Sequence, residues 1–307
     1  MCSMIEACDQ FFGDIMISDK YLCSLVFVLL LSGVVFSQAQ QPITINLAAA
    51  VDGKQFNCSE TYNGIGTTGS TMTVSDFRFY VHDVRLVDKK GKETSVSLTN
   101  DGKFQSERVA LIDFEDGTGA CKNGTADLNT TIRGAVPKGK YVGLKFKIGV
   151  PQDLNHLDPS KASAPLNVTR MMWSWQSGYK FARIDTKTTG RPNGYVLHLG
   201  SSDCKTDTST NVTTCGHANR PEFSFVKFDL ARDVATIDLK ALFAGADVDT
   251  NQEKTASGCM SFDGDADCAP VFGNLGLPFA GTAARDQSVF SIKRMPTVRA
   301  SVSEKRR

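Results

Sequence analysis

This sequence predicts an all-β chain, an antiparallel β-sandwich with long ordered loops and disulfides, and three observations predict it. Short segments that alternate apolar and polar residues, or are apolar on both faces, recur along the chain between clusters of Gly, Asn, Asp and Pro. Beyond residue 39 no long stretch keeps a helical period. The chain is also rich in Phe, with 19 among its 307 residues, which suits pleated and half-buried surfaces.

Residues 43–51, ITINLAAAV, make the first strand. A polar loop follows, NCSETYNGIGTTGSTMT, with Gly64, Gly66 and Gly69 in G-x-G-x-x-G spacing. A dinucleotide site needs a strand before that motif and a helix after it, and neither is predicted, so these are loop glycines. Asp76 to Val87, DFRFYVHDVRLV, places Phe77, Phe79 and Val81 on one face. Tyr80, His82, Val84 and Leu86 take the other, as in a central strand. ETSVSLT, Arg108–Phe114 and Thr131–Val136 continue the series. Lys140–Val150 alternates most cleanly, with Val142, Leu144, Phe146 and Ile148 on the buried face, until Pro151 stops it.

From Pro151 to Ser177 neither period is sustained, and Pro and Asn recur. This reads as a long ordered loop with a helical turn, and loops of that length are usually functional. Strands resume at Tyr179–Asp185, Gly194–Leu199, Glu222–Leu230 and Val234–Leu239; a helical turn covers Lys240–Phe243, and Phe290–Lys293 is the last strand. No linker or repeat interrupts the chain, so residues 40–293 form a single domain and 294–307 a polar basic tail.

Residues 1–39 read as a leader and signal peptide. Lys20 precedes an apolar run from Tyr21 to Phe36, short for a membrane span. Ser37-Gln38-Ala39 offers small residues where a signal peptidase reads. The first fifteen residues are neither basic nor apolar, which points to Met16 as the true start. Export to the periplasm or beyond the cell follows, with no membrane attachment after cleavage. A formal net charge of +1 gives no electrostatic case for nucleic acid.

Six cysteines remain after cleavage, an even number that reads as three disulfides in an exported chain. The short loops favour Cys204–Cys215 and Cys259–Cys268, leaving Cys58–Cys121, among the 15 connectivities that six cysteines allow. No C-x-x-C supports a zinc site instead.

The stretch Pro165–Asp185, PLNVTRMMWSWQSGYKFARID, holds both tryptophans, Trp173 and Trp175, beside Met171 and Met172. Two of the four histidines, His156 and His198, lie on either side of it, and His82 sits in the strand before. Each has apolar neighbours, so a single one would read as a structural imidazole. Three of them with Met and Trp point to a soft-metal or redox site, and neutral imidazole suits copper. His217, in CGHANR, reads as a surface residue. Asp263-Gly264-Asp265-Ala266-Asp267 alternates carboxylates as a calcium loop does but lacks the closing Glu. Calcium is therefore the lesser metal candidate. G-x-S-x-G and H-E-x-x-H are both absent, so nothing marks a hydrolase.

Together DFRFYVHDVRL, GVPQDLNHLDP, PLNVTRMMWSWQSGYKF, LHLGSSDC and GCMSFDGDADC followed by VFGNLGL resemble the MbnP-like proteins, the four-Cys members of the metallo-mystery pair system. The resemblance covers roughly residues 43–292. It implies a periplasmic or secreted copper-binding protein, Cu(I) preferred over Cu(II), acting in copper homeostasis and not itself an enzyme. It implies a dihaem cytochrome c peroxidase-like partner of the MbnH type, which oxidises a tryptophan to kynurenine. The distantly related MopE and CorA types bind Cu(I) through histidines and such a kynurenine. Carried over, the modified residue falls on Trp175 or Trp173, and the ligands on His82, His156 and His198. The four cysteines match Cys204, Cys215, Cys259 and Cys268. A metal-free, disulfide-stabilised surface or adhesion sandwich and a periplasmic copper oxidase are the alternatives.

Overall fold

A computed structural model describes residues 38–173 and 178–295. Trp175, the leader up to Ser37 with Met16, and the tail beyond Met295 lie outside these residues. Among the described residues the strands, numbered along the chain, fall into two large sheets and two separate hairpins. The first contains β1 (Gln40–Val51), β2 (Lys54–Gln55), β6 (Ser97–Leu98), β8 (Thr131–Pro137), β17 (Asp233–Asp238) and β19 (Phe290–Arg294). The second contains β3 (Tyr62–Ile65), β4 (Ser70–Asp88), β5 (Glu93–Ser95), β7 (Val109–Asp113), β9 (Tyr141–Ile148), β12 (Ala182–Thr188), β13 (Tyr195–Leu199), β16 (Glu222–Phe225) and β18 (Gly258–Cys259). Two hairpins, β10 (Met172–Trp173) with β11 (Gly178–Tyr179) and β14 (Ser202–Asp207) with β15 (Val212–His217), pair with neither sheet.

The first sheet runs β19-β17-β1-β8-β6 and the second β16-β9-β4-β12-β13-β18, so the molecule is an all-β sandwich. Most pairs are antiparallel. β1 with β17 and β13 with β18 are parallel, an addition to the antiparallel expectation. Both join segments far apart in the chain, and only long connections can bring strands together in parallel.

β4 is the centre of the larger sheet, with residues of both faces buried along most of its length. Phe77 and Phe79 point into the sandwich, where Phe290 of the opposite sheet meets the rings of Phe79, Phe146, Phe223 and Phe225 at centroid distances of 4.6–6.4 Å. Such ring pairs add about 0.5–1.5 kcal/mol each beyond their buried area. Tyr80 points the other way, and the loop after β9 covers it. Its hydroxyl donates to Pro165 O at 3.0 Å, and its ring meets Tyr179 edge-on at 5.9 Å. The described part of the loop expected over Pro151–Ser177, residues 151–173, thus covers the outer face of the larger sheet.

Three differences from the sequence expectations have physical causes. The glycine-rich stretch after Cys58 holds β3 and the start of β4, joined by a turn in which Gly66 and Gly69 take φ of +67°. Asp83 (φ 51°) is a bulge that shifts register between His82 and Arg85. The alternation that grouped His82 with Val84 and Leu86 therefore breaks there. Helix α1 (Leu239–Leu242) is the expected helical turn, capped by Asp238 accepting from the N–H groups of Lys240 and Ala241. Helix α2 (Cys268–Leu275) is not among the expected elements, because eight residues are too few to show a period. The Cys259 disulfide at its first residue and Gly276 (φ 80°) after its last hold it.

Candidate functional site

The outer face of the larger sheet carries the site. Arg78 on β4, Arg183 on β12 and His198 on β13 stand directly opposite one another, so their side chains share that face. Carboxylates fill the gaps. Glu115 Oε1 is 3.0 Å from Arg78 Nη1, and Arg78 makes a two-pronged pair with Asp76. Asp76 Oδ2 lies 3.1 Å from Arg183 Nε, and Arg183 Nη2 reaches Asp185 Oδ2 at 2.5 Å. Asp185 Oδ1 closes the row on His198 Nε2 at 2.7 Å.

Burial opposes every charge in this row, and the neighbours decide the outcome. Burial raises Asp185, but hydrogen bonds from His198 and Arg183 outweigh it and hold its carboxyl down at about 2. Burial lowers His198 and prevails over the attraction of Asp185. The pair is therefore a carboxylate beside a neutral imidazole. A carboxylate needs a donor, so His198 Nε2 carries the proton and Nδ1 the lone pair. That Nδ1 is buried and meets no hydrogen-bond partner among the described residues. At the other end, burial pushes Glu115 up to about 7 and Asp113 to about 6.

Trp173 lies next to this row. Its ring occupies the space above Gly200, two residues beyond His198: a Cβ there would fall 2.7 Å from Trp173 Cη2 and nearer still to Cζ3. In the β10–β11 hairpin Trp173 stands opposite Gly178, and a Cβ on Gly178 would be 3.4 Å from His156 Cε1. Opposed residues share a face with Cβ atoms about 5 Å apart, which puts the His156 ring within roughly 9 Å of the Trp173 Cβ. Two glycines thus make room for the indole between the segments of His156 and His198. His156 Nε2 also faces Asn155 Nδ2 at 3.1 Å and Cys215 Sγ at 3.4 Å.

His82 stands apart. It is buried on β4 opposite Val109 and Lys147, with Asp83, Arg108 and Gln152 lining the adjacent cleft. Burial, with Arg220, Lys147 and Arg108 adding to it, lowers the imidazole to about 4. Its Nε2 has no hydrogen-bond partner among the described residues. From His198 it lies two strands across and four residues along, about 16 Å between Cα atoms. That exceeds the reach of two imidazoles to one ion. Among the described residues, the groups of three or more His, Cys, Asp or Glu whose ligand atoms all lie within 4.8 Å are His156–Cys204–Cys215 and Cys58–Asp116–Cys121, and neither joins two of these histidines. The donor chemistry of His198 fits a soft cation; the three-histidine set does not meet at one point.

All three expected disulfides are formed: Cys58–Cys121, Cys204–Cys215 and Cys259–Cys268. His217 is exposed and pairs with Asp263 at 2.7 Å. Asp265 and Asp267 turn to backbone N–H groups of Asp267 and Gln252, and the three acidic residues of that turn form no shared ligand group. The charged row leaves little trace in the sequence. Its residues look like the polar positions of ordinary strands, and the one local signal was Arg or Asp inside otherwise buried strands.

Comparison with known proteins gives two matches. The family model described as MbnP matches residues 40–261. The solved structure of MbnP from Methylosinus trichosporium is similar at 32% identity and a TM-score of 0.75, covering 84% of this chain and all of that one. No curated protein matches.

Proposed function

This chain belongs to the MbnP family, and from that premise we propose that it is an exported copper-binding protein selective for Cu(I). A dihaem, peroxidase-like partner oxidises one of its tryptophans to kynurenine, so the chain is that enzyme's client and not a catalyst. Three disulfides and the lack, among the described residues, of any helix long and apolar enough to cross a membrane accord with a life outside the reducing cytosol.

The observation that carries this reading is the His198 Nδ1 lone pair, buried beside the Trp173 segment and aimed by the Asp185 carboxylate. A carboxylate that fixes the tautomer of a histidine and raises its basicity is the usual support of a metal-bound imidazole. A neutral imidazole nitrogen is a donor that copper accepts. His198 and His156, which flank Trp173, are the ligands of first choice; His82 lies too far from His198 to join them on one ion. Oxidation of Trp173 or Trp175 would convert an indole, which offers no lone pair, into an aniline-type amine able to bind a soft cation.

Two measurements test it. Cu(I) titration of the exported protein against a competing chelator should show one tight site that His198→Gln weakens severely and His82→Gln leaves intact. Peptide mass spectrometry after expression with the dihaem partner should find, at Trp173 or Trp175, a net gain of one oxygen and loss of one carbon. Unmodified tryptophans would remove the partner. Absence of any histidine-dependent copper site would leave a metal-free, disulfide-stapled sandwich, and turnover with oxygen and a reductant would make the chain a copper oxidase.

A further inference from the structure

The β14–β15 hairpin pairs with neither sheet, and most of its residues are exposed. Cys204 and Cys215 face each other across it and are joined by a disulfide. The cysteines of the other two disulfides are at most 2% exposed, whereas Cys204 and Cys215 are only half-buried. Thiol–disulfide exchange proceeds by attack on an accessible sulfur, so a reductant from solvent meets this bond first.

An imidazole stands at the same sulfur. His156 Nε2 is 3.4 Å from Cys215 Sγ, and the ligand atoms of His156, Cys204 and Cys215 all lie within 4.8 Å of one another. A tetrahedral d10 ion with thiolate and imidazole ligands needs S···N and S···S separations of about 3.6 and 3.8 Å. The first is present, and the second requires only that the cleaved sulfurs move apart. Asn155 Nδ2, a donor, approaches Nε2 at 3.1 Å, so Nε2 bears the lone pair and the ion would replace that hydrogen bond.

We propose that Cys204, Cys215 and His156 form a second metal site, opened by reduction, for a thiophilic d10 cation such as Zn(II) or Cu(I). A dithiol reductant breaks the Sγ–Sγ bond; its two thiols are oxidised to a disulfide, and their two protons pass to Cys204 and Cys215. Binding of the cation by both sulfurs then releases those two protons to water. This goes beyond the copper reading above. It shares His156 with that reading but needs neither His198 nor a modified tryptophan.

The test uses the exported full chain, treated anaerobically with dithiothreitol, desalted and titrated with Cd(II) alone. Alkylation and peptide mass spectrometry should find Cys204 and Cys215 as the first thiols released. Reduced protein should then bind one Cd(II) with a thiolate-to-metal charge-transfer band, absent before reduction and in the Cys204→Ser, Cys215→Ser double variant. His156→Gln, which keeps the disulfide, should weaken binding at least about tenfold, since even outer partners of metal ligands are worth 10–100-fold. His198→Gln should bind Cd(II) as the parent does, which separates this site from the copper site. Earlier reduction of another disulfide, absence of the band, or undiminished affinity in His156→Gln would each overturn the proposal.

Discussion

The seat of Trp173 makes the sharpest demand on the sequence. Replacing Gly200 by Ala adds one methyl 2.7 Å from Trp173 Cη2, nearer still to Cζ3 and 3.0 Å from Tyr179 O. Real carbon atoms do not approach that closely, and the indole, only 4% exposed, has packed neighbours on its other side. Either the indole leaves its site or β13 shifts. Overfilling a packed site costs about 1–3 kcal/mol. For a domain of this size each kcal/mol moves Tm by about 2–4 °C, so the midpoint should fall by roughly 2–12 °C. Gly264 is the matched control, with nothing within 4 Å of an added Cβ and no positive φ; Gly264→Ala should stay within about 0.5 kcal/mol of the parent. Calorimetry gives the midpoints. Because Trp173 and Trp175 are the chain's two tryptophans, the emission spectrum reports on this stretch alone. Gly200→Ala should shift it. A midpoint within about 1 °C of the parent together with unchanged emission would refute the packing described here.

Further outcomes follow from the same geometry. Asp185→Asn leaves the His198 ring in place but removes the carboxylate that fixes its tautomer, so Cu(I) affinity should fall about 10–100-fold in a competition titration. Glu115 titrates at about 7 in the folded chain against an ordinary value of 4.5. The folded state thus binds the extra proton, its contribution is complete below pH 4.5, and stability is lost as pH rises towards 7. Denaturant midpoints of the parent minus those of Glu115→Gln should decline across that window and level off above it; a rising difference would contradict the burial of Glu115. Removing Cys58–Cys121 as a pair of serines releases a 63-residue loop, for which chain entropy alone gives about 4 kcal/mol. Urea unfolding should register the largest loss there, since the other loops span 11 and 9 residues.

Alternation and composition determined much of this protein without reference to its tertiary structure. Asp76–Val87 carries aromatic and aliphatic residues on both faces, and a strand like that belongs in the middle of a sheet. Lys140–Val150 is apolar on one face and became a strand of the same sheet. The even cysteine count and the two short loops anticipated all three disulfides, and the blocks around Trp173 led to the family. Periodicity is a local signal, and these features are local.

What only the tertiary structure decided is who meets whom. His82 and His198 read alike as histidines in buried strands, yet strand order sets them about 16 Å apart. Arg78, Arg183 and His198 are remote in sequence and meet because three strands align in register. His156 meets Cys215 because a loop and an outlying hairpin converge. Register and sheet order depend on the summed packing of both layers, a quantity no single stretch of residues contains.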